Sequence, residues 1–318
     1  MDVLPSLRHL TSFSPARVMP GPVPWAALAE LAILHGVAPL VAYNVEFRMG
    51  GARAPQDVRD RLLGMYQGTL ADNVFKLVNL KKLLTEADTV PAVLLEAACY
   101  SDALYPHIAF RPVPEIRLLV RREDVPVLVA AGKPLGMKPG PEESGAFFLS
   151  DGRTKFLLHT QLFAAQSETL VDDILRRGMP AKAFGPMARR PSIEDALVTH
   201  LGLIAMGGFD VPLIDFVDLR ELVLGSPSQG GTWSKPPDAT LVKQRAEALG
   251  VSRALYAAMA VLAKFYPDVA AQAQAYAPEL SLPVRALLEK LVVEPTLNLE
   301  RAQVSRGGEQ VRKLLTGG

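Results

Sequence analysis

From Pro55 to Ala87 the apolar positions step by threes and fours: Val58, Leu62, Tyr66, Leu70, Val74, Leu77, Leu80 and Leu84. That spacing predicts one face of a long helix. Arg59, Asp60, Arg61, Lys76, Lys81 and Lys82 fall on the rest of it. Near Val90 the period changes. The runs Pro91–Leu95, Ile116–Val120, Ala146–Leu149 and Phe156–His159 are short and broken by Gly, Pro and charges, as strands are. Helices are expected between them over Ala97–Leu104 and Glu123–Ala131.

Helical periodicity returns at Glu168 and persists through Leu170–Leu175, a helix opened by the N-cap Ser192, and segments at about 212–224, 239–249, 252–265, 267–276 and 283–291. Before the long helix, Trp25, Leu28, Leu31 and Ala32 mark another that stops at Gly36. The pattern predicts an α+β fold, a small mixed sheet flanked by helices and followed by a helical C-terminal domain. Its expected divisions are an irregular, proline-rich arm over 1–24, an α/β domain with N-terminal helices over 25–165, a helical domain over 166–292, and a polar, fraying tail over 293–318. Gly225–Asp238 is the longest central loop, and no internal repeat is found.

Composition narrows the class. At 318 residues, 49% hydrophobic and 21% charged, the chain has ample material for a core. Lys+Arg 34 against Asp+Glu 33 leaves a net charge of +1, so no global field draws in nucleic acid or an acidic membrane. The single cysteine, Cys99, excludes an internal disulfide and reads as a small packing residue. With neither a signal peptide pattern nor an apolar run of roughly 20 residues, a cytoplasmic protein is expected, without membrane or nucleic-acid partners.

The densest run of motifs spans Val93–Ala98, Tyr105-Pro106, Arg111-Pro112 and Glu115-Ile116-Arg117 leading into Leu118–Val120. Around it lie Ala32-Ile33-Leu34-His35-Gly36-Val37-Ala38-Pro39-Leu40, Phe156–His159, Glu194-Asp195, His200 and Ile214-Asp215-Phe216-Val217-Asp218-Leu219. In order and spacing these resemble a bacterial nucleotidyltransferase family of the DNA polymerase β superfamily, over about residues 25–270. The resemblance implies a first strand running into Lys-Gly, a second carrying Asp-Ile-Asp, and an acid just before Leu-His on a third. Here those positions hold Glu96-Ala97, Glu115-Ile116-Arg117 and Leu157.

Nucleotidyl transfer needs carboxylates on neighbouring strands to hold Mg²⁺ against nucleotide phosphates. Acids at i and i+2 of a strand share one face. Arg117 would place a fixed positive charge there, Leu157 cannot bind metal, and Ala97 replaces the glycine that lets a phosphate approach the backbone. The expectation is therefore a degenerate site at Glu96, Ala97, Glu115, Arg117 and Leu157, with no metal and no cofactor. Such a protein would act as a binding or scaffold module for a protein partner or a nucleotide, with Arg117 and Arg111 as phosphate contacts.

An alternative keeps Mg²⁺ and NTP, with Glu115 acting beside Glu96, Asp102 or Asp151. A third is a helical adaptor with a small α/β insert. Glu115 and Arg117 also read as a plain same-face ion pair. His159 and His200 are expected to be satisfied core histidines, and Asp215 and Asp218, with Arg220 nearby, to cap or pair within the helical half rather than bind metal. Gly132, Gly136 and Gly140 read as turn punctuation. No phosphate-binding Gly-Lys loop, nucleophile elbow, His-Glu-x-x-His or Cys-x-x-Cys is present.

Overall fold

The computed structural model describes residues 3–143, 146–162, 168–225, 233, 235–298 and 308–316. The chain begins not as an irregular arm but with α1 (Leu4–Leu10), which has a proline in its first turn and buries Leu7 and Leu10. The proline argument holds only from Pro15 onward; Pro5 sits where a helix tolerates it. Then come α2 (Trp25–Leu34) and α3 (Ala38–Tyr43), separated by Gly36 at φ +69°.

The long helix α4 runs Gln56–Glu86 and buries Val58, Leu62, Leu77, Leu80 and Leu84 as expected. Its inner face drifts from the expected one in the middle. Val74 is 46% exposed, whereas Asn73 and Lys76 point inward. The cause is the loop over residues 105–115, whose backbone needs polar partners away from water. Asn73 Nδ2 donates to the carbonyls of Ile108 (2.6 Å) and Arg111 (2.8 Å), and its Oδ1 accepts from Val113 N (3.0 Å). Lys76 Nζ donates to Val113 O at 2.7 Å. Two polar side chains of α4 thus fix the loop that delivers Arg111 and Glu115.

Next come β1 (Ala92–Leu95), α5 (Glu96–Ala103), β2 (Ile116–Leu119), α6 (Val125–Gly132), β3 (Lys138–Glu143), β4 (Ala146–Ser150) and β5 (Lys155–His159). After α7 (Glu168–Arg177), β6 (Met179–Pro180) and β7 (Ala188–Arg190) complete a seven-stranded sheet ordered β3-β4-β5-β2-β1-β7-β6. The sheet is mixed: β2 pairs antiparallel with β1 and parallel with β5. Register aligns Leu95, Arg117, Leu157 and Phe148 in one row across four strands. Beside them Val93, Leu119, His159 and Ala146 form a second row on the same face.

The C-terminal half is helical: α8 (Ile193–Met206), α9 (Leu213–Leu224), α10 (Ala239–Ala248), α11 (Ser252–Phe265), α12 (Ala270–Tyr276), α13 (Leu282–Leu288), the turn α14 (Glu294–Thr296) and α15 (Gly308–Thr316). Ser192 caps α8, its hydroxyl accepting from Asp195 N. The expected loop 225–238 lies mostly outside the described residues. The tail expected to fray ends instead in α15, which packs on α11 and α8 and buries Leu315 completely. Val311, Leu314 and Leu315 recur at helical spacing, a pattern hidden by the polar residues around them. Cys99 is buried, as expected of a packing residue. Among the described residues no helix is long and apolar enough to cross a membrane.

Candidate functional site

The sheet face bearing Arg117 and Leu157 looks across a cavity of about 950 Å³ at the end of α8 and the start of α9. Glu96, Ala97, Glu115, Arg117 and Leu157, the five positions singled out from sequence, all line it. Arg111 reaches it from the clamped loop and Asp215 from α9.

Arg117 is the hub. Its Nε lies 3.0 Å from Glu96 Oε2, and its Nη2 donates to Glu115 Oε1 at 2.6 Å. Lys155 Nζ stands 3.3 Å from the other oxygen of Glu115. Glu96 is held where β1 turns into α5, in a left-handed backbone conformation at φ +45°. That conformation costs about 1–2 kcal/mol for a residue with a side chain. It aims the carboxylate at Arg117 and at His200, whose Nδ1 stands 3.4 Å from Glu96 Oε1. At that distance the contact is a charge pairing more than a well-formed hydrogen bond. Burial favours a protonated Glu96 carboxyl, but His200 and the guanidiniums of Arg117 and Arg111 outweigh it and hold its pKa at about 2.

His200 is fully buried, and its Nε2 donates to Asp215 O at 3.0 Å. Burial favours the neutral ring; Glu96, Asp218 and Asp215 reverse that and raise its pKa to about 9. It is therefore a buried imidazolium at neutral pH, a site member rather than a bystander in the core. His159 differs. Burial, aided by Arg117, lowers its pKa to about 4 and keeps it neutral. Its Nε2 is buried without a hydrogen-bond partner among the described residues, so it is a core histidine but not a satisfied one.

Within the helical half Asp218 pairs only loosely, with His200 at 3.9 Å, and the main partner of Asp215 and Asp218 lies outside it. Arg111 Nη2 stands 2.8 Å from an oxygen of each, and Arg111 Nε donates to Asp218 at 2.9 Å. Tyr105 OH completes the set, donating to Asp218 Oδ1 at 2.6 Å. Arg220 turns elsewhere, to Glu221 and Asp268. The Arg-Pro and Asp-containing motifs, separate in sequence, are thus two ends of one ion-pair network that ties α9 to the loop before β2. With Nη1 donating to Pro112 O, every nitrogen of the Arg111 guanidinium already bonds to protein, which runs against its expected phosphate contact.

His200, Asp215 and Asp218 bring ligand-type atoms within 4.8 Å of one another. The Arg111 guanidinium already bridges the two carboxylates, so the cluster has its cation. The acids considered as substitutes fare unequally. Asp102 pairs with Arg190 at 2.8 Å, and Asp151 accepts from Asn79 and from its own loop backbone. Neither lines the cavity. Of the three, only Glu96 remains beside Glu115, both already neutralised by Arg117.

Residues 21–267 match the model of a family described as uncharacterised nucleotidyltransferase. The chain belongs to this family. No curated protein and no solved structure matches it. Magnesium, which the fold family implies, takes near-octahedral oxygen ligands at about 2.0–2.1 Å. The donors present suit it poorly. Leu157 offers no oxygen, and the two nearest carboxylates share one guanidinium.

Proposed function

We propose that this member of the nucleotidyltransferase family is catalytically degenerate, and that its cleft serves a binding or scaffold role. The observation that carries the reading is Arg117 seated between Glu96 and Glu115, in register with Leu157. A divalent ion there would meet a fixed positive charge; at about 4 Å the repulsion is roughly 8 kcal/mol for an effective dielectric of about 20. Glu96 and Glu115 serve Arg117 as counter-ions, and Leu157 extends the apolar wall. The partner in this reading is a protein or a small molecule held without metal or cofactor, and a cytoplasmic setting goes with it.

The test is incubation of the full chain with each nucleoside triphosphate and Mg²⁺ or Mn²⁺, following pyrophosphate release and labelling of protein. No release above a no-enzyme control is expected. Metal-dependent release lost in Glu115→Gln would overturn the proposal. It would favour the second reading, an active Mg²⁺-dependent nucleotidyltransferase acting on an NTP. One observation supports that reading: Glu96 and Glu115 both reach the same guanidinium, so two carboxylates do converge in the cavity.

A further inference from the structure

Among the described residues, every cation that lines the cavity, or that pairs with an acid lining it, is already matched. Arg117 pairs with Glu96 and Glu115, Lys155 with Glu115, His200 with Glu96, and Arg111 with Asp215 and Asp218. Four acids stand against four cations across this network, of which Arg111, Arg117, Glu96, Glu115 and Asp215 line the cavity itself. A triphosphate would bring several negative charges to a floor with no uncommitted cation, and displacing a carboxylate from its partner would strand that carboxylate in a half-enclosed site.

Apart from His159 and the exposed Gln161, the rest of the cavity is largely apolar. Phe148, Leu157, Leu162, Leu203, Ile204 and Met206 line it from both the sheet and the helical side. Leu157 takes on a meaning here that its inability to bind metal does not supply. Facing Phe148 across the ladder, it turns the position of a lost acid into continuous apolar wall. Within that wall His159 is the buried polar group left over, whereas Gln161 is exposed to water. It lines the cavity, is 8% exposed, and its Nε2 bonds to no described residue. Buried polar groups are seldom left unmatched unless something else meets them. The volume, about 950 Å³, lies within the range of small-molecule pockets.

We propose that the cleft binds an uncharged, largely apolar small molecule, with one hydrogen-bonding group placed against His159, and that it rejects nucleoside triphosphates. The inference rests on the non-transferring reading of the cleft and names its ligand class.

Nile red, an uncharged dye, tests it by fluorescence titration of the full chain. Saturable, blue-shifted emission is expected, displaced by 1-decanol and unaffected by millimolar ATP with Mg²⁺. Met206→Glu at the cavity lip, where the side chain is 37% exposed and a charge leaves folding intact, should weaken the dye at least tenfold. Leu287→Glu on the outer surface of α13, 43% exposed, should leave it unchanged. His159→Phe should weaken displacement by 1-decanol about fivefold, the worth of one hydrogen bond, while the apolar dye still binds. Displacement of the dye by ATP, no saturable binding, or insensitivity to Met206→Glu would each overturn the inference. Pyrophosphate release, measured in parallel, reports separately on the reading beneath it: an inert protein that binds no dye loses only the ligand class.

Discussion

Arg117 on β2 stands directly across the parallel ladder from Leu157 on β5, and both open onto one cavity. The pairing joins a fixed cation to a side chain without oxygen on one strip of sheet. Arg117 also carries structural weight, since Glu96 and Glu115 lean on it from two elements. Arg117→Met should cost about 1–3 kcal/mol by taking the shared cation from two carboxylates, leaving Glu96 with His200 alone and Glu115 with Lys155 alone. Urea unfolding would measure it. Adding Glu96→Gln should recover part of the loss, because a neutral amide no longer needs the guanidinium.

Arg111 sits deeper, with Asp218 wholly buried beside it. Removing one partner of a buried pair costs about 3–5 kcal/mol. Arg111→Met and Asp218→Asn should each destabilise on that scale, and the double variant should lose less than the sum of the two. Additive losses would mean that the network linking α9 to the loop before β2 is not a unit.

Glu96 poses a conflict between backbone and side chain. Its φ of +45° favours glycine, yet its carboxylate serves Arg117 and His200. Both Glu96→Ala and Glu96→Gly should lower stability through the lost ion pairs. The glycine variant should be the more stable of the two by about 1 kcal/mol, because it alone relieves the strain. An alanine variant as stable as the glycine one would argue against that strain.

The buried imidazolium sets the pH response. His200 has a folded pKa of about 9, above its unfolded value near 6.5. Its contribution is therefore full below about pH 6.5 and is lost as pH rises through 9, worth roughly 3 kcal/mol at about 1.36 kcal/mol per unit. Asp215 adds the same sign lower down: burial above all raises it to about 6, so its carboxyl costs stability as it ionises between about pH 4 and 6. Glu96, held near 2, acts oppositely, and its contribution fades as pH falls below about 4.5. Between pH 6.5 and 8 the unfolding free energy should fall in the native chain and stay nearly flat in His200→Gln; above that, burial of the Cys99 thiol lowers the stability of both.

These features differ in how far the sequence discloses them. The gathering of Glu96, Glu115, Arg117 and Leu157 at one cavity is readable, because it follows from the order of motifs that carries the family resemblance. The inward turn of Asn73 and Lys76 is not, because it answers the backbone of a loop some 35 to 38 residues away. β3 is missed for a similar reason: Pro139, Gly140 and Pro141 argue against a strand, and only an edge position, paired with β4 alone through a register shift, accommodates them. His200 looks like core filling because its apolar neighbours dominate. Its charge comes from Glu96 and Asp218, one over a hundred residues before it and the other on the next helix.

The framework itself is open to test by placing acids at the two positions that the proposed reading takes to have lost them. Arg117→Asp with Leu157→Asp would set a second carboxylate two residues after Glu115 on the same face of β2, and a third acid across the ladder on β5. Two same-face carboxylates and a neighbour are the donor set a divalent ion needs. The native chain should show no Mg²⁺-dependent thermal shift with any nucleoside triphosphate. The double variant should acquire one, and ligand at a hundredfold excess over Kd would stabilise it by about 2.7 kcal/mol. The gain has a counterweight, since Glu96 loses Arg117 and the new acids repel one another without metal. The variant should therefore be less stable than the native chain in chelator and recover on adding Mg²⁺. Recovery with Mg²⁺ alone would mean that the strands still hold metal geometry. Instability that Mg²⁺ does not relieve would mean that the framework has drifted along with its residues.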